Sequence, residues 1–123
     1  MVRQERYKVD FPVFIAWQDA RGVTRRAGGR CVDLSASGAK VETRDHFPAR
    51  TMVMVSSDNF GRMGNAIVRY CLRVGMKYYV GLQFSALMQL GDPVRRKMLE
   101  KVIVGHTVES AAETPEQDPP ESV

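Results

Sequence analysis

The stretch Arg30-Cys-Val-Asp-Leu-Ser-Ala-Ser-Gly-Ala39 carries the strongest clue to the fold of this chain. The chain leaves a strand at Val32, and residues 33–38 then combine Asp, Ser and Gly, which favour turns. A second strand begins at Ala39, where apolar and polar residues alternate again. The stretch therefore predicts two strands joined by a polar turn.

The polar residues of this turn allow two interpretations. In the first, Asp33 and Ser35 only bond nearby backbone N–H groups, and Gly38 supplies a positive φ. In the second, the Asp33 carboxylate accepts from the N1–H and N2–H₂ edge of guanine, and the Ser35 hydroxyl serves the O6/N7 side. Gly38 would then let a flat base approach the backbone. The pattern alone leaves both interpretations open.

Working outward from this turn, alternation of apolar and polar residues continues along most of the chain. Short strands separated by turn signals are typical of an antiparallel sandwich or barrel. The predicted strands cover residues 9–17, 24–33, 39–43, 51–56, 64–73 and 77–84.

One helix is predicted after the strands. Asp92 is a candidate N-cap, Pro93 suits the first helical position, and Gly105 is a C-terminal stop. The helix is expected to plug or flank the strands through one apolar stripe, formed by Val94, Met98, Leu99, Val102 and Ile103.

Charge is distributed unevenly along the 123 residues, which fit a single domain. Five of the 14 acidic residues, and none of the 18 Lys and Arg residues, lie in residues 106–123, so residues 1–105 carry a net charge of +9. We expect residues 106–123 to be a disordered acidic tail, since they are rich in Glu, Pro, Ser, Ala and Thr. The net charge of +9 on residues 1–105 indicates an anionic binding partner.

Several function classes find no support in the sequence. There is no Cys/His metal cluster, no phosphate-binding glycine loop and no nucleophile elbow, so we expect neither an enzyme nor a metal or cofactor site. Cys31 and Cys71 are expected to be small buried apolar residues, although the sequence leaves a disulfide open. No apolar run is long enough to predict a membrane span, and the N-terminus lacks the pattern of a signal peptide. The cytosol is therefore the expected compartment.

The first eight residues form a basic segment ahead of the first predicted strand. Residues 1–8 contain Arg3, Arg6 and Lys8 and are expected to be a flexible arm. A guanidinium can bind phosphate through two hydrogen bonds and can also lie flat on a base. A guanine dinucleotide requires cations for its phosphates and polar groups for the edge of its base. The basic arm and the polar turn together supply both.

These features resemble the PilZ family, whose members carry a basic arm with two arginines and a D/N-x-S-x-x-G motif after a strand. Residues 33–38 match that motif at every defined position, Val80-Gly81-Leu-Gln-Phe84 resembles the family's last barrel strand, and the similarity covers about residues 3–104. The arm departs from the family pattern R-x-x-x-R, because Arg3 and Arg6 are three residues apart and Val2 occupies the expected first position.

The resemblance implies a mainly β fold, a six-stranded antiparallel β-barrel with one C-terminal α-helix over residues 9–105. It also implies a receptor for cyclic di-GMP, in which Arg3 and Arg6 clasp the phosphates, Lys8 adds charge, and Asp33, Ser35 and Gly38 receive a guanine. Ordering of the arm over the ligand would then change the docking of an unidentified protein partner.

Two alternatives to this receptor remain. One is a PilZ-like adaptor that no longer binds cyclic di-GMP and acts only through protein–protein contact. The other is a small barrel for single-stranded nucleic acid, although we expect neither nucleic-acid binding nor membrane insertion.

Overall fold

The computed structural model describes the backbone of residues 3–110 and the side chains of residues 5–106. It contains seven strands and one helix within this part of the chain. They are β1 (Arg3–Gln18), β2 (Thr24–Ser35), β3 (Gly38–Thr43), β4 (Met52–Ser57), β5 (Gly61–Val74), β6 (Lys77–Phe84), α1 (Pro93–Val102) and β7 (Ile103–Ser110).

Six of these strands close into an antiparallel barrel. The strands follow the order β2-β3-β6-β5-β4-β1, and a further pairing of β1 with β2 closes the ring. Closure depends on the length of β1, which pairs with β2 along most of its course and with β4 through residues 14–16. The predicted six-stranded barrel with one helix is confirmed, and β7 is a further strand on the outer edge of β1.

The barrel core follows from the alternation that predicted the strands. Tyr7, Val9, Phe11, Val13 and Ile15 of β1 are all buried, while the residues between them face outward or are only half-buried. Facing strands complete the core with β-branched residues that suit a pleated surface, Val41, Val55, Val68 and Val80.

Helix α1 begins as predicted and ends earlier than predicted. The Asp92 carboxylate accepts a hydrogen bond from the Val94 N–H at 2.9 Å, and Pro93 is the first helical residue. The stop assigned to Gly105 was wrong, because the chain turns extended at Ile103, which pairs with Val9 of β1. Leu99 and Val102 are the buried residues of the helix.

The strands at the N-terminal and C-terminal ends of the described chain extend further than predicted. Residues 3–8 continue β1 without a break, and β2 pairs with them on one side and β7 on the other. The ring of Tyr7 stacks on the ring of His106 with 4.5 Å between centroids, so an aromatic contact holds β1 to β7. The remainder of the predicted acidic tail, residues 111–123, lies outside the described residues.

The two cysteines are free thiols in different surroundings. Cys31 is fully buried, and this burial raises the pKa of its thiol to about 12, so it stays protonated at neutral pH. Cys71 is half-buried on β5. Among residues 3–110, no helix is long and apolar enough to cross a membrane.

Candidate ligand-binding site

Asp33 lies near the end of β2 with its carboxylate held by two cations from β1. Arg6 Nη2 donates to Asp33 Oδ2 at 3.1 Å, and Lys8 Nζ lies 3.6 Å from the same oxygen. The strand register places Lys8 directly opposite Asp33, which explains why the three side chains meet. The structure therefore brings together three residues that the sequence assigned to the site.

The turn after Asp33 is tightly fixed. The Ser35 hydroxyl accepts a hydrogen bond from the Gly38 N–H at 3.2 Å, and Ser35 itself is buried. The carbonyls of Ala36 and Ser37 accept from the backbone N–H groups of Met88 and Phe84, each at 2.8 Å. The connection between β2 and β3 is therefore bonded both to itself and to the chain at and beyond the end of β6.

Gly38 is required for a reason that the sequence did not predict. One of the two interpretations gave Gly38 a positive φ, but its φ does not lie in the left-handed region. A Cβ atom on Gly38 would instead lie 2.5 Å from the backbone carbonyl oxygen of Leu82, closer than any packing allows. The glycine lets β3 approach β6 at the start of their pairing.

The strand register extends the Asp33 site across the barrel surface. Lys8, Asp33, Lys40, Gly81 and Tyr70 pair in succession across β1, β2, β3, β6 and β5. Directly paired residues share a sheet face at about 4.8 Å per strand, so the row covers an arc of about 19 Å. We call this set of five residues the transverse row.

Three β-bulges coincide with the transverse row. The register shifts between Lys8 and Phe11 in β1, between Cys31 and Asp33 in β2, and between Val68 and Tyr70 in β5. Bulges bend a strand and redirect its side chains, and they are frequent beside functional sites. Three of the five strands that form the row are therefore bent at or next to it.

Lys40 and Tyr70 are members of this row that the sequence analysis missed. Their positions follow from strand register, which one sequence does not specify across a barrel. For Lys40 a partial signal existed, because it lies two residues after Gly38 and must share its face. Tyr70 covers Gly81, where an added Cβ would lie 2.1 Å from the tyrosine ring.

The cations of the site are exposed to solvent, whereas its carboxylate is buried below them. The side chains of Arg6 and Lys8 are 39% and 61% exposed, whereas that of Asp33 is only 8% exposed. Lys40 adds a third cation, with its ammonium 5.7 Å from the centroid of the Tyr79 ring. Exposed cations can meet phosphate oxygens, while a fixed carboxylate retains acceptor capacity for a base edge.

The other face of the N-terminal part of β1 is tied to the helix. The Tyr7 hydroxyl donates to Glu5 Oε1 at 2.5 Å and accepts from Arg96 Nη1 at 2.9 Å. Burial raises the pKa of Tyr7, and the Tyr7 hydrogen bond lowers the pKa of Glu5. These groups line a cleft of about 440 Å³ that Ala36 and Ser37 of the turn also line.

The role predicted for Arg3 concerns a side chain outside those described. The backbone of Arg3 lies in β1 opposite Ser110 of β7. Positions two apart on a strand share a face. Arg6 and Lys8 are therefore the two basic residues of this segment for which the structure supplies a common face and a common partner.

Comparison with known proteins identifies the fold. No model of a known protein family matches the chain, and no curated protein matches it. The solved structure of K. pneumonia MrkH in its apo state has a TM-score of 0.55 at 13% identity, over 79% of this chain and 49% of MrkH. A second MrkH structure, described as a c-di-GMP-dependent transcription regulatory factor, has a TM-score of 0.50 at 12% identity, over 78% and 48% of the two chains.

A third comparison concerns the PilZ domain of YcgR from Escherichia coli, solved with c-di-GMP. Its TM-score is 0.47 at 16% identity, over 80% of this chain and 86% of that domain. This chain spans about half the length of MrkH. The chain has a PilZ-like fold, which confirms the resemblance at the level of the fold.

Proposed function

We propose that this chain is a non-catalytic receptor that binds cyclic di-GMP on the transverse row. The observation that carries the proposal is the buried Asp33 carboxylate, which two exposed cations of β1 hold at the start of the D-x-S-x-x-G turn. MrkH, whose fold is similar, is described as depending on c-di-GMP, and this description supports the choice of ligand.

Different residues of the site would bind the phosphates and the guanine base of the ligand. Arg6 and Lys8 would bind the phosphates through charge-assisted hydrogen bonds, with Lys40 as a further cation. Asp33 would accept from the N1–H and N2–H₂ groups of one guanine, because a carboxylate has about four acceptor directions and can keep its bond to Arg6. Ser35 and Gly38 would set the position of the turn against which the base lies.

Output from such a receptor requires a second contact. We propose that cyclic di-GMP alters the docking of a protein partner through the turn between β2 and β3. Ala36 and Ser37 of this turn are bonded to the chain at and beyond the end of β6, and they line the cleft together with Arg96. A ligand that displaced the turn would therefore change the surface of that cleft as well.

Calorimetric titration of the chain with cyclic di-GMP and cyclic di-AMP in one buffer tests the ligand. We expect cyclic di-GMP to bind about 10–100-fold more tightly, because adenine presents an N6 donor where guanine has O6, and each mispaired group costs about 1–3 kcal/mol. Equal affinity for the two dinucleotides would reject Asp33 as a guanine reader. Failure of both to bind would favour the adaptor that acts only through protein contact.

A further inference from the structure

Strand β7 ends at the N-terminal end of β1, the strand that carries Arg6 and Lys8. Strand β7 runs antiparallel to β1, with Thr107 opposite Arg6 and Ser110 opposite Arg3. The chain after Ser110 therefore starts at the N-terminal end of β1. At about 3.3 Å per residue, Arg6 lies about 10 Å and Lys8 about 17 Å along β1 from that point.

Residues 111–123 have the charge that this surface lacks. They contain Glu113, Glu116, Asp118 and Glu121 and neither Lys nor Arg. Among the residues described for this site, Arg6, Lys8 and Lys40 are cations, and the Asp33 carboxylate that they accompany is buried. Opposite charges on one chain, a few residues from a shared starting point, attract each other at short range.

We propose that the acidic segment 111–123 binds Arg6 and the transverse-row cations Lys8 and Lys40 within the same molecule and competes there with anionic ligands. Its reach is sufficient although the chain must turn back after Ser110, because six residues span up to about 20 Å and eleven span up to about 38 Å. Glu116 can therefore reach Arg6, and the later carboxylates can reach Lys8 and Lys40. The contact is independent of the ligand, whereas its competition with cyclic di-GMP rests on the function proposed above.

Tethering makes the competition effective although each ion pair is weak. A carboxylate attached a few residues away acts at a high effective concentration, so it can occupy the cations without a large intrinsic affinity. Exposed ion pairs are screened by salt, so this competition must fade as ionic strength rises. Removing the charges of the segment should tighten anion binding mainly at low salt.

Two triple variants separate this contact from a change in net charge. The first neutralises the segment with Glu113→Gln, Glu116→Gln and Asp118→Asn. The matched control neutralises three exposed carboxylates elsewhere with Asp45→Asn, Asp58→Asn and Glu100→Gln. Both raise the net charge by the same amount, so any difference between them reports position.

The ligand-free measurement compares the backbone amide chemical shifts of Lys8 and Lys40 in the wild type and the two variants. We expect the resonances of both amides to move in the segment variant and to be unchanged in the control variant. Equal shifts in the two variants, or no shift in the segment variant, would overturn the inference. This measurement requires no ligand, so its outcome stands even if the proposed function fails.

The competition is measured by titration with cyclic di-GMP and, separately, with tripolyphosphate. We expect the segment variant to bind both anions about three- to tenfold more tightly than the wild type at low salt, with the difference lost near 0.5 M salt. If only tripolyphosphate shows the difference, the inference holds and the proposed function fails. An equal gain in the control variant for both anions would refute the competition.

Discussion

Replacing Asp33 with alanine is expected to weaken cyclic di-GMP binding by about 100-fold or more. The substitution removes the acceptor proposed for guanine, and a hydrogen bond to a charged group contributes about 1.5–3 kcal/mol. It also leaves Arg6 and Lys8 without the carboxylate that holds them 3.1 and 3.6 Å away. Calorimetric titration of the variant measures the effect, and affinity within about threefold of wild type would show that Asp33 only forms the turn.

The effect on binding must be separated from an effect on stability. A residue that only forms a surface turn would have little influence on folding, but the Asp33 carboxylate is buried. We therefore expect Asp33→Ala to lower the free energy of unfolding by about 1–3 kcal/mol. Asp19→Ala is the matched control, because Asp19 also holds an arginine, Arg25, at 3.0 Å and lies in the β1–β2 hairpin. That variant should keep full affinity.

Replacing Gly38 with alanine is expected to disturb both stability and the site. The new Cβ would lie 2.5 Å from the Leu82 carbonyl oxygen, a backbone atom that cannot rotate away. Strands β3 and β6 must separate to admit it, and such overpacking costs about 1–3 kcal/mol. For a domain of this size, thermal unfolding should shift down by about 5–20 °C. Cyclic di-GMP affinity should fall as well, because the turn before Gly38 moves with it.

Gly28→Ala provides the matched control for this prediction. A Cβ on Gly28 would meet nothing within 4 Å, and the φ of Gly28 is not left-handed. The control should therefore melt within a few degrees of the wild type and bind normally. Equal melting temperatures for the two alanine variants would show that the close approach at Gly38 does not limit the fold.

The sequence predicted the strands well because their burial alternates. The prediction for β6 matched the structure at both ends, since Tyr78, Val80, Leu82 and Phe84 share one face after the turn at Gly75. Strand β7 was missed because its partner, β1, lies about a hundred residues earlier in the chain. Pairing at such a distance leaves no local pattern, so the same residues were read as a helix stop and the start of a tail.

The candidate site was predictable only where a motif carried it. The D-x-S-x-x-G turn pointed to Asp33, and the basic segment pointed to Arg6 and Lys8, which the structure brings into contact. Lys40 and Tyr70 join the row through register and bulges, which depend on the closed barrel. The requirement for glycine at position 38 was predicted, but its cause was contact with another strand rather than backbone conformation.

A nitrogen-15 chemical-shift titration of the chain with cyclic di-GMP tests the central claim most directly. Binding on the transverse row predicts that the largest changes fall on the amides of Lys8, Asp33, Lys40 and Gly81. The amides of residues 52–54 should stay in place, because β4 lies across the barrel from β3. Changes centred on residues 52–54, or no change at saturating ligand, would contradict the claim that this row is a cyclic di-GMP site.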